Sequence, residues 1–198
     1  MRRLQASVAR ARLAWGFAVM LLAAGTPISA QPLFKMVPAD SRVAFVSKQM
    51  GVPVEGQFRR FEVQVTFDAS KPESSSVAMQ VDTASATLGV PMIDMELSKA
   101  PWFDVARHPK ADFHSTAVKA LGDGRYEIAG RLSLKGHARE LVVPVTLAQM
   151  DRRLVASGGF ALRRLDFDVG DREWRDTSMV ADEVQIRFKL TLAAVNGS

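Results

Sequence analysis

The chain has 198 residues, with 26 Lys and Arg against 21 Asp and Glu and no cysteine. Without cysteine there can be no disulfide, thiol catalysis, thiolate metal site or iron–sulfur cluster. Setting aside Arg2, Arg3, Arg10 and Arg12 leaves 22 basic against 21 acidic residues, so no basic arm remains to suggest a nucleic-acid partner.

Residues 1–30 read as a secretory signal peptide. A basic start without acids is followed by the apolar run Leu13–Gly25 and then by "TPISA", with Ala30 at the −1 position and Gln31 as the first mature residue. The run is shorter than the ~20 residues a spanning helix needs, and no later segment is long enough. The expectation is an exported, periplasmic protein without stable membrane insertion. Arg2–Arg3 leave twin-arginine export open beside ordinary secretion. Residues 31–198 suit one domain, long enough to bury a core.

Alternation of apolar and polar residues dominates this domain. It begins in "SRVAFVSK" and is cleanest in "FEVQVTFD", where Phe61, Val63, Val65 and Phe67 share one face. "SSVAMQVDTAS" and "KADFHSTAVKAL" follow. Asp123-Gly124 marks a tight hairpin before "RYEIAGRLSLKG", and a turn is expected at Gly136–His137 before "RELVVPVTLAQ". "QMDRRL" reads as a charged turn leading to "RLVASGGFALRR". The last run, "EVQIRFKLTL", places Val184, Ile186, Phe188, Leu190 and Leu192 together. A period of two through eight runs joined by short turns predicts an all-β, eight-stranded closed antiparallel barrel. The one interruption, "VPMIDMELSKAPWFD", predicts a short helical segment near residues 91–104, opened by Pro91 and closed by Pro101. Such a barrel can be filled by its own side chains or hold one elongated ligand, and periodicity leaves both open.

Four segments together resemble the YceI-like family of exported bacterial proteins: "DSRVAFVSKQMGVPVEGQFRRFEVQVTFD", "WFDVARHPKADFHS", "IAGRLSLKGHARELVVPVTL" and "FALRRLDFDVGDREWRDTSMVADEVQIRFKL". They lie in family order across residues 38–193. The chain departs from the family pattern at Ser41-Arg42 and in "IDMELSK". The resemblance implies an extended lipocalin-like barrel whose cavity holds a long-chain amphiphile, typically a polyisoprenoid, in the periplasm. An isoprenoid quinone is the alternative ligand, and an enzyme acting on such lipids the alternative function. A filled barrel serving as an interaction module is a further alternative.

The large apolar candidates for a cavity and its mouth are Phe45, Phe58, Phe61, Phe67, Trp102, Phe103, Phe113, Trp174 and Phe188. Each taken singly is equally well explained by core packing. Trp102 and Phe103 follow the helix between two prolines, where a barrel lid belongs. Arg164 and Arg175 flank "LDFDVGDREW" and are the head-group candidates, through forked hydrogen bonds; ion pairing with Asp166, Asp171 or Asp176 is their plainer use. His108, His114 and His137 lack thiolate support for a metal, and alternation turns Phe113 inward and His114 outward, while His137 reads as solvent-exposed. Asp166 and Asp168 bracket Phe167 as a carboxylate pair on one face, but no nucleophile or phosphate-loop motif accompanies them. The expectation is a binding protein with no catalytic residue, no metal and no cofactor other than a bound lipid; a homodimer is left open.

Overall fold

A computed structural model describes residues 33–150 and 153–195. The expected signal peptide and the expected turn at Asp151–Arg152 lie outside the described residues. Among the described residues the β segments are β1 (Leu33–Met36), β2 (Arg42–Gln49), β3 (Val52–Phe58), β4 (Phe61–Thr66), β5 (Ser76–Asp82), β6 (Ala86–Thr87), β7 (Lys110–Gly122), β8 (Arg125–Leu134), β9 (His137–Met150), β10 (Arg153–Arg163) and β11 (Glu183–Ala194), with one α-helix, α1 (Pro91–Leu97).

These segments make eight strands, because three strands are kinked. β1 and β2 flank the 3-10 turn Pro38–Asp40, β3 and β4 flank Arg59–Arg60, and β5 and β6 flank the 3-10 turn Thr83–Ser85. Pairing respects the kinks: β1 lies on β4 and β2 on β3, while β4 lies on β5 and β3 on β6. From β5 the order runs through β7, β8, β9, β10 and β11, and β11 closes the ring on β1 and β2. Every pairing is antiparallel, so the fold is the closed eight-stranded barrel that the alternation predicts.

The hairpins are tight where the sequence supplies left-handed residues. Asp123 and Gly124 both have positive φ, as do Met50–Gly51 and Lys135–Gly136, the conformation that matches the strand twist in a two-residue turn. The turn expected at Gly136–His137 thus lies one residue earlier, and His137 opens β9. The alternation does not single out β3, in which Pro53 and Gly56 interrupt the pattern. Pro53 is tolerated because β3 meets β6 only at Gln57 and Phe58, leaving the rest of that edge without a ladder partner among the described residues.

Two apolar clusters form. The first is the barrel interior, around Val43, Val63, Val65, Val143, Val145, Leu190 and Leu192. The second caps one end of the barrel: Leu97 at the end of α1, Phe103 after it, and Phe167 and Val169 from the segment between β10 and β11. The helix stops at Leu97, short of residue 104, and the chain closes into turns in which Phe103 N–H donates to the Leu97 carbonyl at 3.0 Å. Among the described residues, no helix is long and apolar enough to cross a membrane.

Candidate functional site: an apolar lumen beneath a plug

The inward positions of the eight strands enclose a cavity of about 190 Å³. Of its lining residues only Ser75 and Tyr126 carry a polar side-chain atom. Many of the apolar side chains that point inward, among them Phe113, Ile128, Leu154, Phe160 and Phe188, are only half-buried. A filled core would bury them completely; here they face empty space. The composition suits a chain that offers no hydrogen bonds, because an unpaired polar group would be penalised in such surroundings.

Glycine keeps part of this space clear. A Cβ built on Gly130 would stand 2.6 Å from Phe113 Cε2, and one on Gly158 would stand 2.7 Å from Phe188 Cζ. Gly56 is likewise covered by the Phe45 ring. The distal atoms of each phenyl ring therefore occupy the space that a side chain on the glycine of the neighbouring strand would take.

The plug is organised around a buried arginine. Arg164, 2% exposed, donates from Nε to the Ala181 carbonyl, from Nη1 to Val169 and Gly170, and from Nη2 to Trp174 and Val180, at 2.6–3.0 Å. Burial pulls its pKa below the ordinary value, opposed by the nearby Asp182. Lys135, also buried, donates to the carbonyls of Asp168 at 2.6 Å and Pro101 at 3.2 Å. Asp182 anchors the base of the segment, accepting from Arg163 Nε at 2.8 Å and Leu165 N–H at 3.0 Å. Burial raises its pKa, but these donors and the two arginine charges outweigh burial and hold it below its ordinary value.

The sequence candidates divide between the two regions. Phe58, Phe67, Phe113 and Phe188 line the lumen. Phe45 lies beside Phe58, ring centroids 5.4 Å apart. Phe61 packs on the barrel core and faces a groove in its side wall. Phe103 is buried in the plug, 5.9 Å from the Phe58 ring, and Trp102 meets Trp174 at 5.3 Å with the two rings tilted by 45°. Arg164 differs from the expectation: all five guanidinium donors are used on carbonyls, so none is left for a head group or for Asp166. Arg175 is exposed and reaches Asp168 at 3.3 Å. Asp166 and Asp168 are not on a strand; they belong to a 3-10 turn and its left-handed end. His137, expected to be free in solvent, lies 3.1 Å from Asp168, while His114 is on the outer face opposite inward Phe113. Sequence reasoning did not name Phe160, Tyr126 or Leu154 for the lumen, or Lys135 for the plug. Tyr126 was available in the alternation of "RYEIAG", whereas the partners of Lys135 come from distant loops.

The geometry defines a class of protein, a closed β-barrel that is apolar inside and capped at one end. The family model for the YceI-like domain matches residues 34–192, and the chain belongs to that family. A UPF0312 protein of Azotobacter vinelandii is 32% identical over 166 residues, spanning 80% of this chain and 85% of the relative. Among solved structures, BcnA of Burkholderia cenocepacia shares 43% identity with a TM-score of 0.77, over 79% of this chain and 98% of that one. A polyisoprenoid binding domain from Saccharophagus degradans superposes with a TM-score of 0.67 over 82% of this chain and 98% of that one, at 14% identity, and so attests the fold alone.

Proposed function

We propose that the protein binds a long-chain apolar or amphiphilic lipid, with a polyisoprenoid as the leading ligand, and carries it in the lumen. The half-buried apolar side chains facing an empty, non-polar cavity carry this reading. At roughly 25 cal/mol per Å² of apolar area removed from water, a long chain gains ample driving force without a polar contact. Selectivity then rests on the length of the lumen and on a few groups at its mouth. The polyisoprenoid binding domain of Saccharophagus degradans, with the same barrel, supports an isoprenoid chain. Export to the periplasm, read from residues 1–30, fits a carrier for molecules too insoluble to cross an aqueous compartment unaided.

Binding is favoured over turnover because the polar groups outside the lumen do not converge. Asp168 is engaged by Arg175 and His137, Asp166 is exposed, and His114 is on the outer wall. Native mass spectrometry of the protein purified without detergent tests the proposal, with extraction and identification of what it releases. A stoichiometric polyisoprenoid or isoprenoid quinone is expected. Protein that emerges empty and takes up neither class on titration overturns it. Cell fractionation and N-terminal sequencing, with Gln31 expected at the start of the mature chain, test export.

A further inference from the structure

We propose that the barrel wall has a side opening that seats the anionic head group of a single-chain amphiphile whose tail lies in the lumen; this rests on the lumen being the tail site. The opening follows from the kinks. The ladder joining β1 to β4 ends at Lys35 opposite Gln64, and that joining β2 to β3 resumes at Val43 opposite Phe58. Between them, the chain around Pro38–Asp40 is drawn toward β11. Val37 N–H donates to the Thr191 carbonyl at 2.8 Å, Thr191 N–H to Ser41 Oγ at 3.0 Å, and Thr191 Oγ1 to the Asp40 carbonyl at 2.9 Å. On the other side, Arg59 and Arg60 are held toward the β5–β6 kink: Arg59 N–H donates to the Ser85 carbonyl at 3.1 Å and Arg60 N–H to Ser85 Oγ at 3.0 Å. The two flanks are tied to opposite neighbours, and the wall parts between them.

The result is a groove of about 700 Å³ in the side of the barrel. Met36, Phe58, Phe61 and Val63 give it an apolar floor, and Phe58 and Val63 also line the lumen. These two side chains are the partition between groove and lumen. The rim carries Lys35, Arg42, Arg59, Arg60 and Lys110 against Glu62 and Asp82. Arg60 is committed to Asp82 and Arg42 to Glu55, each at 2.9 Å. Lys35, Arg59 and Lys110 are exposed and, among the described residues, make no ion pair within 4.0 Å, although Arg59 acts at longer range on Asp94 and Lys110 on Asp82. A cationic rim above an apolar floor matches an amphiphile with a carboxylate or phosphate head, whose first methylenes pass Phe61 and Val63.

The test compares three probes of one chain length below their micellar concentrations: hexadecan-1-ol, hexadecanoate and hexadecyl phosphate. Both anions are expected to bind the wild-type protein about five- to tenfold more tightly than the alcohol, a preference that fades with salt. Lys35→Gln with Arg59→Gln is expected to abolish the preference and leave the alcohol unchanged. Lys71→Gln with Lys119→Gln, away from the groove, keeps it. These exposed substitutions leave the fold intact, which circular dichroism and the melting temperature verify. Equal binding of all three probes to the wild type overturns the side opening and leaves the lumen reading standing. So does a preference that survives the Lys35/Arg59 change, which places the head elsewhere; a stronger effect for phosphate than carboxylate identifies the head chemistry within the proposal. If none of the probes binds, the side opening is overturned, and the lumen reading is decided by the polyisoprenoid and quinone titrations.

Discussion

Replacing Gly130 by alanine tests how the lumen is kept open. The new Cβ would stand 2.6 Å from both Phe113 Cε2 and the His114 carbonyl oxygen, where ordinary contact begins at 3.4 Å. The carbonyl must therefore retreat by about 0.8 Å, and the ring, whose Cζ lies closer still, by more, displacements of the kind that cost roughly 1–3 kcal/mol in a packed interior. The His114 carbonyl belongs to β7, which pairs with β5 on one side and β8 on the other, so the backbone yields little. The ring has free space only in the lumen. For a domain of this size the cost corresponds to a fall in Tm of roughly 2–12 °C, read by differential scanning calorimetry. Lipid titration should show a second effect: the displaced ring narrows the cavity and weakens long-chain ligands. Phe113→Leu combined with Gly130→Ala should recover part of the stability, because it removes the ring but not the carbonyl. An unchanged Tm with unchanged lipid affinity in Gly130→Ala would refute the reasoning, since the ring could not then lie over the glycine.

Arg164→Met strands five carbonyl acceptors, three of them in buried bonds, and should cost about 3–5 kcal/mol in urea unfolding; Arg164→Lys should recover only part of it, because an ammonium has three donors where the guanidinium has five. Asp182 is held below its ordinary pKa of 3.8, so its contribution to stability is present above that pH and lost as the pH falls through the lower folded-state value. Comparing urea midpoints at pH 5 and pH 3 should show this acid loss, and Asp182→Asn should lower stability at pH 5 and reduce the difference. Leu154→Trp, which projects into the lumen, should eliminate co-purifying lipid while shifting Tm by no more than about 3 °C, as judged by native mass spectrometry and calorimetry.

The barrel was legible because burial on one face imposes a period of two wherever a strand runs without interruption, as in "FEVQVTFD" and "EVQIRFKLTL". It was less legible at the kinks. Leu33–Met36 is too short to display a period, and Val52–Phe58 contains Pro53 and Gly56, which are tolerated by a free edge and a neighbouring ring that the local sequence does not reveal. The lumen aromatics Phe67, Phe113 and Phe188 followed from the same alternation. The plug did not, because 3-10 turns carry no comparable period. Asp166 and Asp168 therefore looked like strand neighbours, and Arg164 like a free charge. Its partners at Val169, Gly170, Trp174, Val180 and Ala181 are backbone carbonyls, which any residue type could supply, so no side-chain pattern announces them.

Eight strands need not enclose a usable space, since side chains can fill a barrel of this size. Here the filling is withheld at particular positions. The Phe113 and Phe188 rings are laid over Gly130 and Gly158 rather than across the lumen, and the remaining wall is largely Val, Leu and Ile, too short to meet at the centre. An empty centre sacrifices packing, and the plug offers a compensating site of stability at the end of the barrel. Its own apolar cluster and the Gly170 and Asp171 N–H bonds to the Pro101 carbonyl tie the β6–β7 and β10–β11 connections together, while the Arg164 carbonyl cage holds the latter folded on itself. Stability and binding are thereby placed in different parts of the chain. That separation is why Arg164→Met should destabilise a protein whose lumen residues are intact, whereas Leu154→Trp should empty a protein that remains folded.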